Sequence, residues 1–545
     1  MQIFTPGASV AGSSFSIHSL TDHFMQNSQH LGTLFLGLLM ATSVSCNGGE
    51  PVTETVTPTG EQTVTIRIDP SKTYQTIRNF GGSDAWACQF AGNWPLAKKN
   101  GIADLLFSTD TLADGRLKGI GLSLWRFNAG GGTAEQGEAS GIRDEWRRAE
   151  SFFAGDGGYD WNKQAGQMWF LSAAKERGVN EFLLFPNTPP VQFTTNGKGY
   201  ATNGQPNLAS QQFDKFTGYL ADVIDGVRKK TGITFQYVSP ANEPQWDWSD
   251  GGQEGTPYFN NQLAAITRSL SVALLKKNLS TKINIAEAGQ IEYLYSEHNR
   301  PGRASQISAF FDKNSTDYVG NLPNIVPAIS GHSYFTNAPY KTAVEKRKQL
   351  ANGLATVPGL EYWQSEYCIL GDNEGEIKGE GRDLGITSGL FIARVIHSDL
   401  AIANATAWHW WLSVSPYDYK DGLVYIDKNK TDGNYQSSKM LWALGNFSRF
   451  VRPGAKRVEA SSSLGTDGLL VSSYLNTNNE LVTVIVNSDN QDREVQLSLG
   501  SGSKPGAVKA YETSAQSDLA PLKVSGSDGK FSVKSRSIVT VVNKM

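Results

Sequence analysis

From about residue 75 to residue 450, short apolar runs alternate with longer stretches whose apolar positions recur every three or four residues. The runs Thr76–Gly81, Gly121–Phe127, Glu181–Phe185, Thr234–Ser239, Lys282–Ala286, Ala328–His332, Leu360–Gln364 and Ala405–Trp410 read as strands. Gln211–Lys229, Asn261–Lys277 and Gly385–Ala403 read as amphipathic helices between them. Repeated strand–helix units predict an α/β fold, a (β/α)8 TIM barrel over residues 76–450. Beyond Val451 the helical period disappears. Leu469–Tyr474, Leu481–Asn487, Val495–Leu499, Val508–Glu512, Phe531–Val533 and Ile538–Val542 read as short strands, with turns at Asn478-Asn479 and Asp528-Gly529. Residues 451–545 are therefore expected to form an appended all-β sandwich. Val64–Ile68 alternates apolar and polar residues and has no place in the barrel. It is expected to join the sandwich as an N-terminal strand within residues 62–75.

The first 61 residues follow neither pattern. Leu31–Ala41 is apolar but too short to span a bilayer as a helix. Small residues then lead to Cys46 in Ser43-Val44-Ser45-Cys46. Residues 1–46 read as an export signal. The cysteine at the cleavage point resembles a bacterial lipoprotein signal, which implies a lipidated Cys46 and an outer-membrane lipoprotein; a periplasmic or secreted protein is the alternative. Residues 47–61, rich in Gly, Pro and Thr, read as a flexible linker. Membrane contact is expected only through that lipid, and the protein is expected to be a monomer.

The net charge of −3 carries no basic excess, which argues against a nucleic-acid partner. Thirteen Trp and nineteen Tyr offer flat apolar faces of the kind that sugar rings stack on, although most aromatics in a large chain are core. After Cys46 only Cys88 and Cys368 remain, so a disulfide-stapled fold is excluded. Two buried thiols are expected, with one bridge between them as the alternative. No Cys/His spacing matches a metal site, and the acidic run Asp372-Asn373-Glu374-Gly375-Glu376 lacks a full calcium-loop pattern. It reads as a solvated loop. Gly130-Gly131-Gly132 does not match a phosphate-binding loop and reads as a tight turn. No metal or cofactor is expected.

In such a barrel, chemistry sits at the C-terminal ends of the strands. There the chain places Asp84 and Trp86, Arg126, Asn187, Asn242-Glu243-Pro244 with Trp246 and Trp248, Glu287, His332 and Tyr334, Glu366, and Trp408 to Trp411. Glycoside cleavage needs one carboxylic acid to protonate the leaving oxygen and a second carboxylate across the sugar, about 5–5.5 Å apart in retaining enzymes. The fourth and seventh strands lie on opposite sides of a barrel, so Glu243 and Glu366 can face each other. Glu243 must then be protonated near neutrality, and Glu366 must stay ionised beside Arg126. A bell-shaped pH profile follows, with the acid limb from Glu366 and the basic limb from Glu243.

Asn242-Glu243-Pro244 and Ser365-Glu366 resemble glycoside hydrolase clan A. Phe80-Gly81-Gly82-Ser83, Asn187-Thr188-Pro189-Pro190 and the sandwich joined to both ends of the barrel resemble family 30. The resemblance implies Glu243 as acid/base, Glu366 as nucleophile, Arg126 orienting the nucleophile and Asn242 on the sugar 2-hydroxyl. Val191-Gln192-Phe193 stands where many members have an aromatic and Met, which alters the subsite floor. Asp84, Trp86, Asn187, Trp246, Glu287, His332, Tyr334 and Trp410 are expected to bind substrate; Trp248 and Trp411 are further candidate stacking walls, and Trp408 is expected in the core. The expected substrate is a β-linked polysaccharide or oligosaccharide, β-1,6-galactan foremost. β-1,6-Glucan, xylan, small β-glycosides, or a surface protein that binds glycan without cutting it are the alternatives.

Overall fold

The computed structural model describes residues 63–465, 468–500, 508–524 and 530–545. Cys46, the export signal, the linker and the Asp528-Gly529 turn lie outside the described residues.

Eight parallel strands close into a barrel: β1 (Asn79–Ser83), β2 (Leu124–Asn128), β3 (Glu181–Phe185), β4 (Tyr237–Val238), β5 (Lys282–Ala288), β6 (Ile325–His332), β7 (Glu361–Glu366) and β8 (Ala407–Ser415). Trp363 pairs with Ala407 and Ala407 with Asn79, which closes the ring between β7, β8 and β1. The helices Phe213–Thr231, Asn260–Lys276 and Ile386–Ala401 lie within two residues of their expected limits. Each buries its apolar stripe: Phe216, Leu220, Val223, Ile224 and Val227 turn inward on the first of them.

The first strand begins later than expected because Thr76 still belongs to the sandwich, paired with Lys456. The Ile77 amide then donates to the Ala455 carbonyl, and the chain crosses into the barrel. The fourth strand shrinks to two residues, but its flanks keep ladder bonds: Ser239 N–H donates to Leu184 and Lys282 N–H to Gln236. Pro240, which has no N–H to donate, follows at once.

The sandwich strands run in the spatial order Ala520–Leu522, Val508–Thr513, Ser537–Lys544, Glu480–Asn487, Leu470–Leu475, Lys456–Ser462, Val64–Thr76, Arg493–Leu499, Lys530–Val533. The N-terminal strand pairs antiparallel with Lys456–Ser462 and parallel with Arg493–Leu499. Its alternation places Val64, Ile66 and Ile68 in a core shared with Leu481, Ile485, Val495, Phe531 and Val539. The helix Lys439–Ser448 joins barrel to sandwich. Its Asn446 donates to Thr513 Oγ1 and accepts from Thr540 Oγ1, all buried. Among the described residues no helix is long and apolar enough to cross a membrane. Cys88 and Cys368 are both buried free thiols.

Candidate active site

The rim of the barrel carries a closed network of buried charges. Glu366, last residue of β7, accepts from Arg126 Nη1 at 2.9 Å and from Tyr334 Oη at 3.1 Å. Arg126 reaches it from β2, fully buried, with its guanidinium 4.1 Å from the Phe185 ring centroid. Glu243 follows β4 in a left-handed conformation, φ 44°, and its amide donates to the Glu287 carbonyl. That backbone choice is costly for a non-glycine residue and is held by its surroundings, since the Glu243 carbonyl also accepts from Trp246 N and Trp248 Nε1.

One oxygen each of Glu243 and Glu366 and one nitrogen of His332 lie within 4.8 Å of one another. This close approach suits the pair of a retaining enzyme, about 5–5.5 Å apart, better than that of an inverting one, about 6.5–9.5 Å apart. The same three groups are close enough to ligate a cation. His332 Nδ1 stands 2.8 Å from Glu243 Oε1, and Nε2 stands 3.0 Å from Glu287 Oε2. Burial alone would discharge His332, yet the carboxylates of Glu366, Glu243 and Glu287 outweigh it and push its pKa up to about 10.

The two carboxyls beside His332 have opposite environments. Burial raises the Glu243 pKa, with help from the Glu366 charge, while its bonds to His332 and Trp246 pull the other way. Burial also works against ionisation of Glu287, but Arg126 and His332 hold it down at about 2. Glu287 accepts from four donors: Ser239 Oγ on Oε1, and Arg126, His332 and Ser365 on Oε2. With both oxygens engaged and 1% of its surface exposed, Glu287 is placed as a buried counter-ion to Arg126 and His332 and not at the rim, where a sugar-binding residue was expected.

Several polar groups around the carboxyls lack protein partners. Both amide atoms of Asn187, Asn242 Oδ1 and Trp86 Nε1 are buried without a hydrogen bond. Buried polar atoms left open beside a reaction centre are what sugar hydroxyls would satisfy. Asp84 accepts from the Asn128 amide at 2.8 Å, and burial pushes its pKa up to about 8 against that bond, a bond from Gln167 and the charge of Arg126. Two aromatic clusters flank the centre. Trp86 meets Trp411 edge-on at 5.3 Å on the β8–β1 side. Half-buried Trp246 packs with Tyr293 and with the exposed Phe335 beside Glu243.

Trp410 is not a stacking wall. Its indole is fully buried and donates to the Leu412 and Asp421 carbonyls. The reason is strand parity: Trp408 and Trp410 share one face of β8, 6.3 Å apart, whereas His409 and Trp411 share the other. Of the two expected walls on β8, Trp411 alone packs against Trp86. Trp408 is core, bonded through Nε1 to Asp399. The run Asp372–Glu376 forms a small hairpin with Ile377–Lys378.

Sequence reasoning missed Glu254. It is fully buried and accepts from Gly131 N at 3.1 Å and Thr133 Oγ1 at 2.6 Å, which ties the loop after β4 to the loop after β2. The glycines flanking both partners were the available signal. Gly131 has no room for a Cβ, with Thr188 Cγ2 2.4 Å from the position it would take.

A closed barrel whose fourth and seventh strands present facing buried carboxyls at one rim, with sugar-sized open polar groups around them, defines a glycoside hydrolase. The model of O-glycosyl hydrolase family 30 matches residues 63–425, and the model of the family's beta sandwich domain matches residues 454–541. The chain belongs to glycoside hydrolase family 30 and is a retaining O-glycosyl hydrolase. It is 25% identical to an endo-beta-1,6-galactanase of Hypocrea rufa over 409 residues, 72% of this chain and 75% of that protein. It is 28% identical to the glucuronoxylanase XynC of Bacillus subtilis strain 168 over 394 residues, 69% of this chain and 78% of that one. A solved structure described as a conserved exported protein from Bacteroides fragilis superposes with a TM-score of 0.81 at 33% identity, covering 88% of this chain and 100% of that chain.

Proposed function

We propose that the protein is an exported endo-acting hydrolase of β-1,6-linked galactan, with Glu366 as nucleophile and Glu243 as acid/base. The observation that carries the assignment is the asymmetry of the two carboxyls. Arg126 and Tyr334 donate to Glu366, which suits a carboxylate that must attack a sugar carbon. Glu243 has no arginine partner and a raised pKa, which suits a group that gives up a proton.

In the first step Glu243 protonates the glycosidic oxygen as the C1–O bond breaks and a Glu366 oxygen bonds to C1. In the second, Glu243 takes a proton from water, whose oxygen displaces Glu366. Arg126 holds the nucleophile in place, and Asn242 and Asn187 receive sugar hydroxyls. Trp86 and Trp411 bind the glycone side, and Trp246 the leaving side, because it stands beside the acid. The galactanase relative favours a β-1,6-galactan; the β-1,6-glucan and xylan alternatives stay within the same chemistry. Export follows from the apolar run before Cys46, which would carry a lipid anchor.

Reducing-end release from β-1,6-galactan, β-1,6-glucan and glucuronoxylan, with Glu366→Gln beside the wild type, tests this reading. Release from galactan that is lost in the variant supports it. Release from another polymer moves the substrate and leaves the mechanism. A Glu366→Gln protein that cuts as fast as wild type overturns the nucleophile. A wild type that binds galactan and cuts nothing is a glycan-binding protein.

A further inference from the structure

The mechanism above leaves one buried pair unused. His332 is fully buried. It bridges two carboxyls, 2.8 Å to Glu243 Oε1 and 3.0 Å to Glu287 Oε2, and stands 3.6 Å from Glu366 Oε1. All four side chains are at least nine-tenths buried. Titratable and charged groups face the imidazole from several elements, and the buried Cys368 thiol stands behind them, 3.9 Å from Tyr334 Oη. Glu243 comes from the loop after β4, Glu287 from β5 and Glu366 from β7. Tyr334 packs edge-on at 5.8 Å, just beyond the end of the His332 strand. Arg126 from β2 reaches Glu287 and Glu366, and His409 on β8, pushed by burial and by Arg126 to about 3, is neutral.

We propose that Glu287 and His332 form a positioning couple for the acid/base. The imidazolium, clamped by Glu287, donates to Glu243 Oε1, directs the acidic proton onto Oε2, and neutralises the charge left on Glu243 when that proton departs. The proposal rests on Glu243 being the acid/base.

Charge accounting supports it. Before reaction Arg126 and His332 are positive, Glu287 and Glu366 are negative, and protonated Glu243 is neutral, which sums to zero. In the first step the Oε2 proton goes to the glycosidic oxygen and the C1–O electron pair leaves with that oxygen. Glu366 becomes a neutral ester and Glu243 a carboxylate. The sum is again zero, and the positive partner of the new carboxylate is already in place at 2.8 Å. His332 keeps both protons throughout. A fixed dipole aimed at the place where charge develops needs no reorganisation during the step. Without the imidazolium, Glu243 would be a weaker acid in a dry site. Without Glu287, the imidazolium would have one anchor fewer, and burial would favour its neutral form.

The test compares Glu287→Gln, His332→Gln and Glu243→Gln on two aryl glycosides of the accepted sugar. One has a good leaving group that departs unprotonated, and the other a poor one that needs the acid. For Glu287→Gln and His332→Gln the expected loss in kcat/KM is about a hundredfold on the poor leaving group and less than about fivefold on the good one. The basic limb of kcat/KM against pH should also move to higher pH in both. Equal losses on both substrates with an unmoved basic limb would overturn the couple and leave a packing role. Two variants at different strands guard against a folding failure in either. If Glu243→Gln itself loses both substrates equally, the acid/base reading fails, independently of the couple.

Discussion

Replacing Glu254 with Gln changes one atom of a buried carboxyl that links two rim loops. Burial raises its pKa to about 7, against hydrogen bonds from Thr133 and Gly131. A carboxyl whose pKa is higher in the folded chain binds its proton more tightly there than in the unfolded chain. Its contribution to stability is therefore complete below the unfolded value near 4.5, and is lost as pH rises through about 7. Each tenfold change in proton affinity is worth about 1.4 kcal/mol, so this group removes about 3 kcal/mol across that window. A glutamine has the same shape and cannot titrate. Urea unfolding of wild type and Glu254→Gln at pH 4.5, 6 and 7.5 should show the variant gaining on the wild type by about 2–3 kcal/mol from the lowest pH to the highest. Taking the difference cancels Asp84, Asp421 and the other groups common to both. A constant difference, or one that shrinks with pH, would mean that the donors from Gly131 and Thr133 suffice to hold the charge, and the reasoning from burial would be refuted.

Three further outcomes follow from the site. The rate should fall as pH rises through the raised pKa of Glu243, placing the basic limb of kcat/KM above the ordinary carboxylate range; a pH series on one polymer checks this. Asn187→Ala removes an amide with no protein partner, so thermal stability should hold while kcat/KM drops about tenfold or more. Trp410→Phe should do the opposite, costing about 1–3 kcal/mol in unfolding by leaving the Leu412 and Asp421 carbonyls without their donor, with KM unchanged.

The barrel was legible because its strands and helices bury one face each and so print a period on the chain. Where the period fails, the reading failed too. Lys456–Ser462 carries Lys, Arg, Glu and two Ser around one Val and one Ala, yet it is a central strand of the sandwich, because both of its edges find backbone partners. At the site, Glu243 and Glu366 stand out through Asn-Glu-Pro and a strand end. Glu287 stands at a strand end as well, and only its four donors distinguish a counter-ion from a sugar ligand. Those donors come from β2, β4, β6 and β7, distances no local window contains. Trp410 is legible as a core residue from the chain itself, since the two-residue alternation of β8 puts it on the face of Trp408.

The N-terminal strand bears on what happens when the chain is pulled. The strand is paired on both edges, Ile66–Asp69 with Glu459–Ser462 on one side and Val64–Ile68 with Val495–Leu499 on the other. A load entering from upstream of Thr63 runs along the strand axis and has to shear both rows together before it reaches Ile77 and the barrel beyond. Shear shares force among all the bonds at once, where peeling would open them singly. Tension at that end is thus taken up first in the sandwich, ahead of the barrel that carries the carboxyls.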